Sequence, residues 1–441
     1  MSRRNLVWML ALPATVAGCL YLAASPPPAS EDYKLVRTIV DVLAEVDKNY
    51  VRPLTPDEKR KLVEDMINGG LERLDPYSQY FSAAEFEAFN TQTEGQFGGV
   101  GILLKRDVKS RFLQVESPIP GSPAYDAGVR ADDLILKIGD KTTEDLRIED
   151  ARKIIKGEPG SSVTLTFLRD VASGPFAVPL KRAVIELHAV GGAGRDPADP
   201  TKWDYVADKA NGVALVRLVQ FSEKTERELT AAVAEARKQG AKSLVLDLRE
   251  NPGGLLSQAV KVADLFLAGG PIVTTEDRRG GGRQWAAAAG DASLEDPAQL
   301  PMVVLVNANS ASASEIVAAA LQDNKRAVVA GERSYGKGSV QRVYPLDGGA
   351  AVKLTGEQWR RAGGGSIHRW PDSKPTDAWG VRPDPGLEVP LTDADRKGYY
   401  DHLRALEVIP GKPGAGAAAK KPDGYADKVL AKAVEHLAGK K

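Results

Sequence analysis

The chain is almost without cysteine: Cys19 stands alone in 441 residues. A single thiol excludes an internal disulfide and a cysteine metal cluster. Histidine is scarce as well. His188, His368, His402 and His436 are scattered and show no zinc-ligating spacing, so no metal or other cofactor is expected. Neither sign of charge is in excess. The 59 basic residues balance 59 acidic ones, which argues against a nucleic-acid partner, since such binders carry a basic surplus. No internal repeat is visible. Apolar content of 43% and charged content of 27% are ordinary for a globular protein, and the length allows two or three domains. The 43 glycines and 28 prolines imply many turns.

One apolar run stands out at the N-terminus, from Leu6 to Leu22 behind Arg3-Arg4. A charged segment before an apolar one is the layout of a secretory signal. The run is shorter than the ~20 residues a spanning helix prefers. Three readings stay open. Val16-Ala17-Gly18-Cys19 resembles a bacterial lipoprotein box, which would make Cys19 a lipidated, membrane-anchored N-terminus. The alternatives are cleavage near Leu22-Ala23-Ala24-Ser25 and an uncleaved anchor helix. All three place the body of the protein outside the cytoplasm, in the periplasm or cell envelope. Ser25 to Ser30 then reads as a Pro-rich spacer.

The periodicity of Leu35, Ile39, Val40, Leu43 and Val46 predicts a helix over Tyr33–Tyr50. Pro53 and Pro56 break it, and Thr55 can cap a second helix from Asp57 to Leu74. Leu74-Asp75-Pro76-Tyr77-Ser78-Gln79-Tyr80 follows as a helix stop and a tyrosine-anchored turn. From Gly95 to Leu180 the pattern changes to short strands, a helix at Ile148–Ile155 and a last strand at Ser162–Phe167. Val190 to Asp208 reads as a surface connection. Strand, helix and strand then alternate. Gly212–Leu218 is a strand, and Ser222 can cap a helix that runs to Gln239 and is closed by Gly240. Ser243–Arg249 is a buried strand, and Asn251-Pro252-Gly253-Gly254 turns into a helix ending near Leu267. Such βαβ alternation predicts parallel strands. Asp277 to Arg283 is a charged, glycine-rich loop. Gly411 to Pro422 has a linker's composition, and Asp423 to Leu437 carries a narrow apolar stripe suited to a last helix.

Two stretches carry chemistry. The run Pro301–Val306 predicts a strand and Ile316–Leu321 a buried helix, so Asn307 to Glu315 is a strand-to-helix turn. Alternating serine and alanine there can expose one hydroxyl and aim helix N-terminal N–H groups at a developing oxyanion. A Ser-rich helix cap would look the same. The second stretch, Ser334-Tyr335-Gly336-Lys337-Gly338-Ser339-Val340-Gln341, sets a lysine between glycines. In an enclosed apolar site a lysine loses its proton more easily, and a neutral lysine beside a serine is a general base.

Together the two boxes resemble the carboxy-terminal processing peptidases, PDZ-containing tail-specific serine proteases with a Ser-Lys dyad. The family's spacing picks Ser312 as nucleophile, Lys337 as base and Gln341 as the residue that orients the lysine, leaving Ser310 and Ser314 as neighbours. The Asn-Pro-Gly-Gly box also matches. Gly253 or Gly254, with the N–H of Ala313, would form the oxyanion hole, with a slight preference for Gly254. Gly98-Gly99-Val100-Gly101-Ile102 resembles the carboxylate-binding loop of a PDZ domain, whose backbone N–H groups form a nest for a terminal carboxylate. The resemblance implies an α+β / α/β multidomain protein. Its parts are an N-terminal segment (1–30), a helical region (31–94), a PDZ domain (95–182), a ClpP/crotonase-like βαβ core (183–410), a linker (411–422) and a C-terminal helix (423–441). It places Leu74–Tyr80 in the helical region, which supports dimerisation or frames the PDZ domain. It implies protein substrates with apolar C-termini, no nucleic acid, and room for an adaptor, a homo-oligomer and a membrane anchor. The chain departs from the family between Ile367 and Gly380, where His368 to Trp379 is longer than expected and carries Trp370 and Trp379. Two rivals remain, a non-catalytic PDZ scaffold and an acyl-CoA enzyme of the crotonase type. The first predicts a missing serine or lysine, and the second neither a PDZ domain nor a secretion signal.

Overall fold

The structure, a computed structural model, describes residues 31–288, 300–412 and 425–439. The signal-like segment with Cys19, and the linker beyond its first two residues, lie outside the described residues.

The chain divides into two compact units, 1–73 and 74–441. The first holds helices α1 (Glu31–Asn49) and α2 (Pro56–Leu71). Thr55 starts α2 with a full capping box: Glu58 N–H donates to its hydroxyl at 3.3 Å, and Glu58 Oε2 accepts the Thr55 N–H at 2.8 Å. Leu35, Ile39 and Val40 of α1 are exposed. Among the described residues no helix is long and apolar enough to cross a membrane.

The second unit begins with β1 (Gln79–Phe81) and α3 (Ala83–Glu94), which Gly95 closes at φ 70°. β2 (Gln96–Gly99) leads into β3 (Ile102–Arg106), β4 (Leu113–Pro118), α4 (Pro123–Asp126), β5 (Leu134–Ile138), β6 (Lys141–Thr142), α5 (Ile148–Ile155), β7 (Ser162–Leu168), β8 (Phe176–Lys181) and β9 (Ala183–Glu186). The sheet order is β3-β4-β5-β7-β8, with β6 on β5 and β2 paired to β9. In β7 the side chains alternate, and Val163, Leu165 and Phe167 point into the core. The sequence predicts β7 as the last strand of this module; the structure adds β8. Pro179 hides β8 from a propensity reading, yet at a sheet edge a strand proline forfeits no ladder bond.

The core follows with β10 (Val190–Gly191), β11 (Gly194–Arg195), β12 (Trp203–Asp204), β13 (Val206–Asp208), β14 (Val213–Leu218), α6 (Thr225–Lys238), β15 (Ser243–Asp247), α7 (Leu256–Asp264), β16 (Pro271–Asp277), β17 (Gln284–Ala286), β18 (Met302–Val306), α8 (Ala313–Asp323), β19 (Val328–Gly331), β20 (Ser339–Pro345), β21 (Ala351–Arg361), α9 (Asp393–Glu407) and α10 (Lys428–Ala438). Strands β14, β15, β18 and β19 are parallel, as the alternation predicts. β14, β15 and β18 are buried on both faces, which is why their sequences are near-continuous apolar runs, broken only by Arg217, Ser243 and Asp247. A second sheet, β1-β21-β16-β17 with β20 on β21, ties the start of this unit to the strand that follows Lys337.

Three local expectations are corrected. Val190 to Asp208 is not a surface connection: β10 and β13 pair with β14, and Ala189, Val190, Tyr205 and Val206 are buried. Strands of two or three residues leave no readable periodicity. Helix α6 starts at Thr225, not after Ser222, because Phe221 is still bridged to Gly254 and holds the chain extended. Leu74–Tyr80, expected with the N-terminal helices, instead falls in the second unit and runs into β1, with Gln79 opposite Lys353 of β21. The last helix α10 is capped by Asp427 and buries Val429, Ala433 and Leu437 against the same cluster as Val245 and Leu305.

Candidate active site

The turn between β18 and α8 separates its three serines by use. Ser310 Oγ donates to Leu248 O at 2.8 Å and Ser314 Oγ to Asn251 O at 2.9 Å, and both side chains are buried. Ser312 is partly exposed, at φ 55°, ψ −114°. A non-glycine residue there stores about 1–3 kcal/mol of backbone strain, so something must hold it.

Glu315 does so, and it also holds the lysine box. Its side chain is fully buried. Oε2 accepts the Ser312 N–H at 2.9 Å and the Lys337 N–H at 2.8 Å. Oε1 accepts the Ser334 hydroxyl at 2.5 Å and the Gly336 N–H at 2.6 Å. Burial raises its pKa, while the four donors act the other way. The two boxes, separate in sequence, are joined through one carboxylate.

The lysine loop is gripped on its other sides as well. Lys337 O accepts the indole N–H of buried Trp359 at 2.9 Å. The longer segment from His368 forms a wall against it. Gly338 N–H donates to His368 Nδ1 at 3.3 Å, and Arg369 N–H donates to Gly336 O at 2.8 Å. A Cβ on Gly336 would come within 2.7 Å of Arg369 Cβ, and one on Gly338 within 2.8 Å of His368 N, which explains the flanking glycines. Trp379 anchors the wall, with the Arg333 guanidinium 3.4 Å and the Arg369 guanidinium 4.6 Å from its ring centre.

Burial, reinforced by Lys353, pushes the Lys337 amine down to about 8, against the opposing pull of Glu315 and Asp75. Among the described residues no hydrogen bond joins Nζ to Ser312 Oγ; Nζ lies 4.7 Å from the ring centre of Tyr77. Gln341 is nearby but does not bond the lysine. Its amide nitrogen donates to Ser339 Oγ at 3.0 Å and Thr355 Oγ1 at 3.2 Å. Thr355 Oγ1 in turn donates to Asp75 Oδ1 at 3.0 Å.

The glycine loop closes the site. Gly253 sits at φ 99°, and a Cβ there would lie 2.7 Å from Ala311 O and 2.8 Å from Ser312 Cβ. Its N–H donates to Asn251 Oδ1 at 2.9 Å. The N–H groups of Gly254 and Ala313 have no acceptor among the described residues, so these two are the donors free to face an oxyanion. Gly253→Ala is expected to lower activity about 10²-fold or more, because both the contact and the positive φ oppose a side chain. Peptide hydrolysis rates, with circular dichroism as a control for folding, check this.

In the PDZ module, Gly98 and Gly101 lie where a Cβ would strike Gly157 O and Ser122. The N–H groups of Val100 and Gly101 have no acceptor among the described residues. Ile102 opens the edge strand β3. Val100, Leu104, Ala151 and Ile155 are buried beneath this loop in one cluster, with Ile102 and Ile148 packed against it.

The sequence did not single out Glu315, Asp75, Tyr77, Thr355, Trp359 or His368 as parts of the site. Asp75 and Tyr77 lay in a stretch already noted as matching the family; their partners are far away in the chain, and no local signal connects them.

A peptidase family S41 profile matches residues 212–385 and a PDZ domain profile residues 114–169. The chain is 36% identical over 433 residues to the carboxy-terminal-processing protease of Bartonella bacilliformis, covering 95% of this chain and 92% of that protein. It is 33% identical over 331 residues to the carboxy-terminal processing protease CtpA of Bacillus subtilis, covering 75% and 65%. A carboxyl-terminal-processing protease of Picosynechococcus is 36% identical over 307 residues, covering 69% of each. With the serine turn, the lysine loop and the PDZ module in one chain, these matches settle the family: the protein belongs to the carboxy-terminal processing proteases, serine peptidases of family S41 that carry a PDZ domain.

Proposed function

We propose that the protein is an extracytoplasmic endopeptidase that captures proteins by an apolar C-terminal tail and cuts them with a Ser312–Lys337 dyad. The observation that carries the reading is the Glu315 carboxylate, which bonds the backbone N–H of both residues and so builds them as one unit. In the reaction Lys337 swings from Tyr77 to Ser312 and takes the hydroxyl proton as Oγ attacks the scissile carbonyl. The oxyanion faces the N–H groups of Gly254 and Ala313. The lysine ammonium then protonates the leaving amine, and water, activated by the same amine, frees the acyl group. Gln341 steadies this arrangement through Ser339 and Thr355 rather than by bonding the lysine at rest. The N–H groups of Val100 and Gly101, without an acceptor among the described residues, suit a terminal carboxylate, and the Val100, Leu104 and Ile155 cluster suits an apolar last side chain. The extracytoplasmic placement rests on Arg3-Arg4, the apolar run and Cys19.

The test is degradation of a disordered protein with an apolar tail, beside the same protein with a charged tail, by the wild-type chain and by Ser312→Ala. Cutting of the apolar-tailed substrate by wild type alone is expected. Equal cutting by Ser312→Ala removes the serine from the mechanism, and equal cutting of both tails removes the PDZ preference. An inert wild type that still binds apolar tails favours a scaffold.

A further inference from the structure

Lys337 Nζ meets no hydrogen-bond acceptor among the described residues; its neighbour is the ring of Tyr77, 4.7 Å away at the centroid. That lies within the ~6 Å over which an ammonium is attracted to an aromatic face. The ring is not free to drift. Asp75 Oδ1 accepts the N–H groups of Tyr77 at 2.8 Å and Ser78 at 2.9 Å, and Asp75 Oδ2 accepts the Ser78 hydroxyl at 2.6 Å. This turn is bonded to β21: Thr355 Oγ1 donates to Asp75 at 3.0 Å and Thr355 N–H donates to Ser78 Oγ at 3.1 Å. β1 then continues along β21 in register. Thr355 Oγ1 also accepts from Gln341, so one short chain of bonds sets Tyr77 and Gln341 together.

We propose that Tyr77 is a positioning residue for the lysine of the dyad: its ring, fixed by the Asp75 turn, is the seat on which Lys337 Nζ rests before proton transfer. The inference rests on the reading of Lys337 as the general base.

The chemistry favours a ring over a conventional partner. A carboxylate in bonding contact would hold the ammonium proton and oppose its loss. An aromatic face supplies a dry wall and a weak attraction, and a neutral amine leaves it without breaking a hydrogen bond. The charged and titratable groups around Nζ are Lys353 on β21, Glu315 on α8, Asp75 in the turn, and Tyr77 itself, with Tyr335 and His368 on the flanking loops. Burial and the neighbouring Tyr335 hydroxyl hold the Tyr77 phenol well above the usual phenol range, so the ring presents no negative oxygen near neutral pH. Burial lowers His368, so that side chain is neutral there too. The balance at Nζ is therefore between the dry site and Lys353 on one side and two carboxylates and a ring face on the other.

The experiment titrates Lys337 directly in the full-length protein. The NMR signal of ¹³C-labelled lysine is followed with pH in a Ser312→Ala background and assigned by its loss in Lys337→Arg. The same titration is made with Tyr77→Phe, Tyr77→Leu and Tyr77→Ala. Tyr77→Phe keeps the ring and is expected to keep the pKa. Tyr77→Leu keeps the dry wall without the π face and is expected to lower it by about half a unit or more. Tyr77→Ala admits water and is expected to raise it. The acid limb of kcat/KM in the Ser312 forms should move in the same directions. One pKa shared by the wild type and all three variants overturns the proposal, since a purely structural tyrosine changes rates without moving the titration. If Lys337→Ala still cuts substrate, the base assignment fails, and the titration still decides the role of Tyr77.

Discussion

Lys337→Ala is expected to lower kcat by about 10³- to 10⁶-fold while leaving the fold intact, the scale of loss seen when one member of a nucleophile–base unit is removed. The mechanism needs an amine that is neutral when substrate arrives. At the ordinary lysine value of 10.5, fewer than about one amine in a thousand would be neutral at pH 7. Burial brings the group down to about 8, which raises the neutral fraction to about one in ten at the same pH. The sign follows directly. The amine is neutral above its pKa and charged below it, so wild-type activity should be flat well above pH 8 and fall about tenfold per unit as pH drops beneath it. Lys337→Arg should not rescue, because a guanidinium stays protonated across the whole range. A pH–rate profile of kcat/KM for wild type, with single-turnover rates for both variants, measures all three. A wild-type profile flat down to pH 5 would exclude the lysine as base, whatever the variants do.

Much of this was legible in the chain because it is local. The strand–turn–helix around Ser312 could be read from an apolar run, a stretch of small residues and a second apolar run, and β18 and α8 lie there. Helix α5 matches the span expected for it, since its apolar residues keep a clean helical period. What escaped is non-local or lacks a period. Residues 190–208 form strands too short to alternate. Asp75 and Ser78, which hold Tyr77 in its turn, meet Thr355 beside the β1–β21 pairing, which no window of the sequence contains. Which of Gly253 and Gly254 keeps a free N–H depends on the side chain of Asn251 folding back onto Gly253; both glycines read alike as letters. The segment from His368 to Trp379 stood out as a departure from the family, and its packing on Gly336 and Gly338 gives that extra length a physical task.

Glu315→Ala should unfold or strongly destabilise the protein, by about 3–5 kcal/mol, because it leaves four donors, two of them fully buried, facing an empty space. The more informative change is Glu315→Gln, which keeps the volume. One oxygen becomes an NH₂ group, so the backbone N–H groups on that side face a donor. If the amide nitrogen takes the place of Oε2, the bonds to Ser312 and Lys337 are lost. If it takes the place of Oε1, the Gly336 bond is lost and the Ser334 hydroxyl turns to accept from the amide. Either way one end of the clamp opens, while the remaining oxygen and the packing of α8 keep the fold. Stability should fall by less than in Glu315→Ala, yet kcat should fall by about 10²-fold or more, since displacing Ser312 or Lys337 by an ångström disturbs the approach of amine to hydroxyl on which proton transfer depends. Denaturant midpoints and kcat measured on the same preparations separate the two effects. A Glu315→Gln protein with wild-type kcat would mean that Ser312 keeps its strained φ of 55° without the carboxylate, and the idea of Glu315 as the tie between the two boxes would have to be given up.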